Sequence, residues 1–178
     1  NGYCDRIIVS LNKDGSISIE DNGRGIPVAE HPVKKVSAAE VVFTELHAGG
    51  KFNNENYAYS GGLHGVGASV VNALSRWLKL EINREGKKYV QEFESKEDKK
   101  GKVRGGVPLF PLREVGPALS TGTRVTFKPD GRIFETTEFD FSSIKKRLKE
   151  LAFLNKGLEI ILTDDRDDQK PVTYSYKY

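Results

Sequence analysis

The sequence SGGLHGVGASVVNAL, from Ser60 to Leu74, runs from a glycine-rich segment directly into a helical pattern. Apolar residues at Val66, Val70, Val71 and Leu74 have the spacing of one helix face. Glycines before a helix leave backbone N–H groups beside the positive end of the helix dipole, where phosphate can bind without a dedicated side chain. The stretch therefore predicts an anion-binding turn, although glycine richness alone would equally fit a flexible hinge. It lacks the Gly-Lys-Ser/Thr ending of a P-loop and the third glycine of a dinucleotide fingerprint.

A second motif, DNGRGIP at residues 21–27, ends a predicted strand. A carboxylate fixed at Asp21 can accept a hydrogen bond from an exocyclic amine, and the two glycines let the backbone approach a flat ring. Ile26 and Pro27 would offer that ring an apolar wall. The motif suits adenine, but Asp, Asn and Gly are also the ordinary residues of a tight turn at the end of a strand.

Three further residues are candidates for ligand contacts only in combination with these two motifs. Lys51 and Arg84 are cations that could approach phosphates or the edge of a ligand, and the Thr123 hydroxyl could lie near a base. Taken alone, Lys51 and Arg84 are more often solvated cations, and Thr123 is more often a strand residue after a turn. No metal site is predicted, because the three histidines and Cys4 lack zinc-ligand spacing and the acidic run at residues 164–168 lacks the spacing of a calcium loop.

Periodic patterns predict both strands and helices. Three β-hairpins are predicted, at residues 6–21, 77–93 and 158–176, together with a strand at Thr123–Phe127. A capping box at Ser37–Glu40 predicts a helix that ends near residues 48–50. A second helix follows the glycine-rich segment. A third begins at Ser142 or Ser143, and its apolar face comprises Ile144, Leu148, Leu151 and Leu154.

Two segments do not fit a regular element. Residues 49–67 are too irregular for a helix or strand and too long for an ordinary connection, which predicts a functional loop or lid. Residues 95–104 carry seven charged side chains in ten, which predicts a solvated loop. The order of elements predicts an α+β fold, a two-layer α/β sandwich whose mixed sheet is largely antiparallel with helices on one face.

The composition suits a single domain. A chain of 178 residues with 37% hydrophobic content can bury one sizeable core, so we expect one domain over residues 1–178. The net charge of +3 is too small to indicate nucleic-acid binding. One cysteine excludes an intrachain disulfide, and without a signal peptide or membrane-spanning run we expect a cytoplasmic protein with no membrane partner. The chain has no methionine and a strand pattern close to Asn1, so we expect the N-terminal end of the domain to be missing.

Three motifs in this order resemble one superfamily of ATPases. They are DNGRGIP, the glycine-rich segment that ends in Leu63–Gly67, and the later STGT at residues 120–123. This arrangement resembles the gyrase, heat-shock chaperone, histidine kinase and MutL superfamily, which implies its Bergerat ATP-binding fold. More narrowly, four segments resemble the gyrase B family of the bacterial type II DNA topoisomerases. They are VSAAEVV (36–42), LHAGGKF (46–52), Ser60–Leu74 and LAFLN (151–155). Residues 95–104 look like an insertion.

The resemblance implies a site for ATP and Mg²⁺. Asp21 would bind the adenine amino group, Thr123 would assist through water, and residues 24–27 would form the floor and rim of the pocket. Residues 63–67 would wrap the triphosphate through their backbone amides, with help from the lid. Arg84 would border the pocket with Arg24 and Pro27, where competitive aminocoumarin antibiotics bind. The full set implied to bind ATP is Asp21, Arg24, Gly25, Ile26, Pro27, Gly50, Lys51, Tyr57, Leu63, His64, Gly65, Val66, Gly67 and Thr123.

The catalytic residues that the resemblance implies are not in this chain. The glutamate that activates water and the asparagine that binds magnesium would lie on a helix just before Asn1, so we assign no catalytic and no metal-binding residue here. The lid also departs from the family, because Ala58 follows Tyr57 where gyrase often carries a lysine.

The implied function is ATP binding and hydrolysis for a DNA topoisomerase. ATP would dimerise these domains around DNA, and hydrolysis would reset the gate. The partners would be DNA through the full-length enzyme, the gyrase A protein, and a second copy of the ATPase region. Alternatives remain: a nucleotide-binding fragment without hydrolysis, a DNA-binding module that uses the basic run Lys96–Arg104, or the equivalent topoisomerase IV subunit. Duplex affinity that falls steeply with salt would indicate the DNA-binding module.

Overall fold

The fold is known from a computed structural model that describes residues 3–45 and 67–178. Strands and helices interleave along this part of the chain, as the sequence predicts. In chain order the elements are β1 (Arg6–Leu11), β2 (Ile17–Asp21), α1 (Ala38–Thr44), α2 (Gly67–Ala73), β3 (Ser75–Arg84), β4 (Lys87–Glu97), β5 (Val103–Pro108), β6 (Arg113–Pro117), β7 (Gly122–Pro129), α3 (Phe141–Leu154), β8 (Glu159–Asp164) and β9 (Val172–Tyr176).

All nine described strands belong to one sheet. Eight follow the order β5-β4-β3-β7-β2-β1-β8-β9, and β6 pairs with β4 outside this path. Every pairing is antiparallel except that of β1 with β8. The predicted largely antiparallel sheet is therefore confirmed.

The three predicted hairpins are confirmed as β1–β2, β3–β4 and β8–β9. The tightest of them turns at Glu85 and Gly86, whose φ angles are 53° and 77°. Two consecutive residues with positive φ are the requirement of a type I′ turn, whose twist matches that of paired strands. This explains why a two-residue Glu-Gly connection between alternating runs predicted the hairpin correctly.

The helices cover one face of the sheet. Pairing of Ile17 with Phe127 and of Phe127 with Leu78 places these side chains on the same face. Two clusters of buried side chains form there, one beneath α1 and one beneath α3. The first includes Ala39, Phe43, Leu78, Leu80, Ile82 and Phe93, and the second includes Val9, Leu11, Ile17 and Leu162. We call this the covered face and the other the open face.

The charged stretch 95–104 is not a solvated loop, and that prediction was wrong. It contains the end of β4, a turn, and the start of β5, with Glu97 paired to Val103. Charged side chains are compatible with a hairpin whose residues are largely exposed, so composition misled the prediction. Neither β5 nor β6 was predicted from the sequence.

Several helix details also differ from expectation. Helix α1 ends at Thr44, because the next residue, Glu45, is already extended. Only half of the capping box forms: the Ser37 hydroxyl accepts from the amide of Glu40 at 3.0 Å, whereas the Glu40 carboxylate accepts from the Gln91 amide at 2.6 Å. At the end of α3, Leu154 is 72% exposed and does not belong to the buried face.

None of the helices in the described part of the chain is long and apolar enough to span a membrane.

Candidate functional site

Asp21 is the last residue of β2 and lies on the covered face. It pairs with Ile7 on one side and Thr123 on the other. Its Oδ1 accepts hydrogen bonds from the backbone amides of Gly23 at 3.0 Å and Thr123 at 3.3 Å. Neither bond uses Oδ2. Within residues 3–45 and 67–178 no donor bonds to Oδ2, so the turn fixes the carboxylate through one oxygen and leaves the other to accept from a ligand.

The electrostatic setting of this carboxylate is unusual for a surface aspartate. Burial raises the pKa of Asp21 above its ordinary value of 3.8, and the amides of Gly23 and Thr123 offset part of that increase. A partly desolvated carboxylate gains more from a hydrogen-bond donor than a fully hydrated one does. The group is therefore suited to binding an amine of a ligand.

Thr123 connects the Asp21 carboxylate to residues 22–26, which we call the glycine turn. It is 7% exposed, and its Oγ1 accepts from the amide of Ile26 at 3.1 Å. The amide of Thr123 donates to Asp21. Thr123 therefore hydrogen-bonds to both Asp21 and Ile26 and holds these two residues close together. A hydroxyl that accepts from Ile26 can still donate its proton to a ligand or a water.

Gly25 requires the absence of a side chain. Its φ is +85°, and an added Cβ would lie 2.7 Å from the backbone oxygen of Asn83 and 3.1 Å from Cγ2 of Ile82. The Arg84 guanidinium donates to the Gly25 carbonyl at 2.7 Å. Arg84 therefore fixes the glycine turn against the end of β3.

The other two predicted rim residues are less closely tied to Asp21. The Arg24 guanidinium lies 4.4 Å from the centroid of the Tyr3 ring, a cation–π distance. Pro27 is partly buried, and its neighbours Ile26 and Val28 pack against the core cluster that contains Ile82. The structure thus brings Asp21, Thr123, Gly25, Ile26 and Arg84 together, with Arg24 and Pro27 at the edge.

Sequence reasoning missed an apolar surface next to Asp21. Ile19 lies two residues earlier on the same face and is 40% exposed, although it belongs to a central strand. Its partner on β7 is Val125, which is partly buried. Two aliphatic side chains beside a carboxylate can pack against a flat ring whose edge donates to that carboxylate. Alternation along β2 could have identified Ile19, because residues 19 and 21 share a face.

A polar cavity lies behind this site. Its volume is about 230 Å³, and most of its lining side chains belong to the open face, including Glu20, Glu81 and Arg124. The pairing of Asp21 with Thr123 directs those two side chains to the opposite, covered face. We therefore distinguish this cavity from the candidate site, although both share backbone of β2 and β7.

Most of the predicted phosphate-binding and lid residues belong to the segment between α1 and α2. Gly50, Lys51, Tyr57, Leu63, His64, Gly65 and Val66 lie outside the described residues. Gly67 is the first residue of α2. That helix is tied to α1, because the buried Asn72 side chain donates to the Phe43 carbonyl at 2.9 Å.

A sheet covered on one face, with a fixed carboxylate, a hydroxyl and an apolar surface at one strand end, defines a candidate purine-nucleotide-binding domain. Comparison with known proteins agrees with this class of domain. Residues 1–133 match the family described as histidine kinase-, DNA gyrase B-, and HSP90-like ATPase. The chain belongs to this family.

The chain is also similar to the B subunits of curated topoisomerases. It is 54% identical to the DNA gyrase B subunit of Spiroplasma citri over 177 residues, which are 99% of this chain and 26% of the relative. It is 54% identical to the DNA topoisomerase 4 B subunit of Staphylococcus epidermidis over 171 residues, 96% of this chain and 24% of the relative. For the DNA gyrase B subunit of Archaeoglobus fulgidus the identity is 53% over 171 residues, 95% of this chain and 26% of the relative. The chain spans about a quarter of each relative's length.

Proposed function

We propose that this chain is the ATP-binding part of a DNA gyrase B subunit, and that it binds the adenine of ATP through Asp21. One observation carries the proposal: two backbone amides fix Oδ1 of Asp21, while no donor among the described residues bonds to Oδ2. The carboxylate lies on the covered face beside the exposed Ile19. A donor on the edge of a flat ring satisfies the free oxygen, and the aliphatic side chains pack against the ring.

The neighbouring groups give this pocket its selectivity. Thr123 can donate its hydroxyl proton to a ring nitrogen, directly or through one water. Gly25 lets the backbone of the turn come close to the ligand, and Arg84 fixes that turn at the pocket edge. An amine next to a ring nitrogen presents a donor beside an acceptor, which matches the Asp21–Thr123 pair. We therefore expect adenine to bind in preference to bases that carry an oxygen at that position.

The triphosphate belongs to the same proposal through residues outside the described part of the chain. Backbone amides of residues 63–67 would hold its oxygens, with Gly50, Lys51 and Tyr57 contributing. Mg²⁺ would accompany the nucleotide. Residues 3–45 and 67–178 contain no group of three or more His, Cys, Asp and Glu side chains suited to a metal ion.

The whole protein's activity is a further part of the proposal. The similarity to gyrase B proteins supports ATP-driven DNA supercoiling, with ATP binding that dimerises the ATPase region and with the gyrase A protein as partner. A cytoplasmic location belongs to the same proposal. The equivalent topoisomerase IV subunit is a close competitor, because one such relative has the same 54% identity as the Spiroplasma citri gyrase protein.

The adenine contact is tested by Asp21→Asn, measured by titration calorimetry with a non-hydrolysable ATP analogue. Loss of a hydrogen bond to a charged acceptor costs about 1.5–3 kcal/mol, so affinity should fall by roughly tenfold to a hundredfold. The control is Glu20→Gln, which removes the same charge one residue away on the open face. Equal affinities of Asp21→Asn and the parent would contradict the proposal.

The second candidate is a nucleotide-binding fragment without hydrolysis. Steady-state phosphate release by the full-length protein distinguishes the two, since nucleotide binding with no turnover in that protein would identify this candidate.

A further inference from the structure

The end of the β4–β5 hairpin is a fixed turn. Lys96 pairs with Arg104 and Glu97 with Val103, and the chain reverses between them. The Asp98 amide donates to the Lys102 carbonyl at 2.9 Å, and Oδ1 of Asp98 accepts from the amides of Lys100 and Lys102 at 2.8 and 2.9 Å. We call residues 96–104 the basic hairpin. Its backbone presents its side chains in a defined arrangement.

Cations outnumber available anions on this hairpin. Five of its nine residues are Lys or Arg, and all five are exposed: Lys96, Lys99, Lys100, Lys102 and Arg104. The nearby carboxylates are already engaged: Glu94 with Lys96 at 3.1 Å, Glu97 with Arg132 at 3.5 Å, and Asp98 with backbone amides. Among the ion pairs of the described residues, none includes Lys99, Lys100, Lys102 or Arg104.

The pairing within the hairpin is electrostatically unfavourable by itself. Lys96 and Arg104 are cross-strand partners of like charge, an arrangement that destabilises a strand pair. A hollow of about 470 Å³ lies along the hairpin and is lined by Lys96, Lys102 and Arg104 together with Glu97, Asp98 and Val103. An anion bound there would relieve the repulsion and would meet three cations, which outnumber the two carboxylates of the lining, Glu97 and Asp98. Local arrangements that oppose stability are expected at functional sites.

We propose that the basic hairpin is a contact site for the phosphate backbone of duplex DNA. B-DNA carries one negative charge for about each 1.7 Å of helix axis, so a cluster of cations on a narrow turn contacts several phosphates at once. Lysine and arginine on a turn contact phosphates without reading bases, so the hairpin positions DNA without sequence preference. The choice of duplex DNA as partner rests on the proposed function.

The hairpin is remote from the candidate nucleotide site. Strand β4 begins at Lys87, which pairs with Arg84 beside the glycine turn, and ends at Glu97 in the basic hairpin. At about 3.3 Å per residue the two ends are roughly 30 Å apart. Changes to the hairpin should therefore leave nucleotide binding unaltered, which separates a failure of this inference from a failure of the proposed function.

The test compares two triple variants by fluorescence anisotropy with a labelled duplex. The first is Lys99→Gln/Lys100→Gln/Lys102→Gln. The matched control, Lys146→Gln/Lys149→Gln/Lys156→Gln, removes the same charge from exposed lysines on and after α3. Because the hairpin variant can no longer neutralise three phosphates, its slope of log K against log[salt] between about 50 and 200 mM should decrease in magnitude by roughly 2 to 3. Duplex affinity at the lower salt concentration should fall at least about tenfold, and the control should stay within about twofold of the parent.

Equal losses in the two variants would show that only net charge matters and would overturn the inference, as would no loss in the hairpin variant. Both variants are checked by thermal unfolding and by titration with an ATP analogue. A parent that binds duplex through the hairpin but binds no ATP analogue would leave the hairpin contact intact and contradict the proposed function.

Discussion

Replacing Gly25 by alanine tests whether the glycine turn must lie close to the end of β3. Two contributions to the expected loss of stability can be separated. Alanine at a φ of +85° costs about 1–2 kcal/mol of backbone strain. Its Cβ would also lie 2.7 Å from the Asn83 oxygen, and relieving such overpacking costs about 1–3 kcal/mol. We expect the free energy of unfolding to fall by roughly 2–4 kcal/mol, since alanine also restricts the unfolded chain.

Gly86 provides a matched control for this variant. Its φ is +77°, but an added Cβ would meet none of the described residues within 4 Å, so Gly86→Ala carries the strain without the collision. We expect it to lose about 1 kcal/mol and to keep its nucleotide affinity. In Gly25→Ala the displaced turn should also weaken binding of an ATP analogue by about tenfold or more, which corresponds to about 1.4 kcal/mol. Urea unfolding and calorimetry measure both effects. If the two variants behaved alike, the close approach of Gly25 to β3 would not matter and the reasoning would be refuted.

Two other substitutions test a buried carboxylate that follows β7 and the arginine that contacts Gly25. Asp130 is fully buried, and hydrogen bonds from the Arg132 side chain hold the pKa of its carboxyl at about 2, compared with 3.8 unperturbed. Asp130→Asn should therefore cost roughly 2 kcal/mol at neutral pH. Because the folded pKa is depressed, this difference from the parent should disappear as the pH falls from about 4 to 2, and a difference independent of pH in urea titrations would argue against it. Arg84→Gln should weaken nucleotide binding several-fold while the chain stays folded, since the 2.7 Å bond to Gly25 is charge-assisted; an unchanged dissociation constant would exclude a positioning role for Arg84.

Local patterns in the sequence were sufficient to predict most of the strands of the sheet. The β3–β4 hairpin was predictable because alternating apolar residues flank a Glu-Gly pair, and the structure uses both positive φ angles. The basic hairpin was not predictable, because its charged residues give no buried alternation. Strand β6 is short, contains glycine and ends in proline, and therefore has almost no strand signal of its own.

Several residues of the candidate site could be predicted from sequence motifs, but the contacts between them could not. DNGRGIP suggested a carboxylate and a close-approach glycine, yet nothing in that motif indicates that Thr123 donates to Asp21 from a strand about one hundred positions away in sequence. That contact depends on the β2–β7 register, which is a property of the folded sheet. For the same reason the role of Arg84 in fixing Gly25, and the exposure of Ile19 beside Asp21, became apparent only from the structure.

The most direct test compares ATP with inosine triphosphate, which carries an oxygen in place of the exocyclic amine, in the parent and in Asp21→Asn. The parent should bind ATP at least about tenfold more tightly, because the oxygen would face the Asp21 carboxylate. In Asp21→Asn, where an amide can donate to that oxygen, the preference should shrink to near one or reverse. A preference for ATP that is the same in both proteins would contradict the claim that Asp21 recognises the adenine amine.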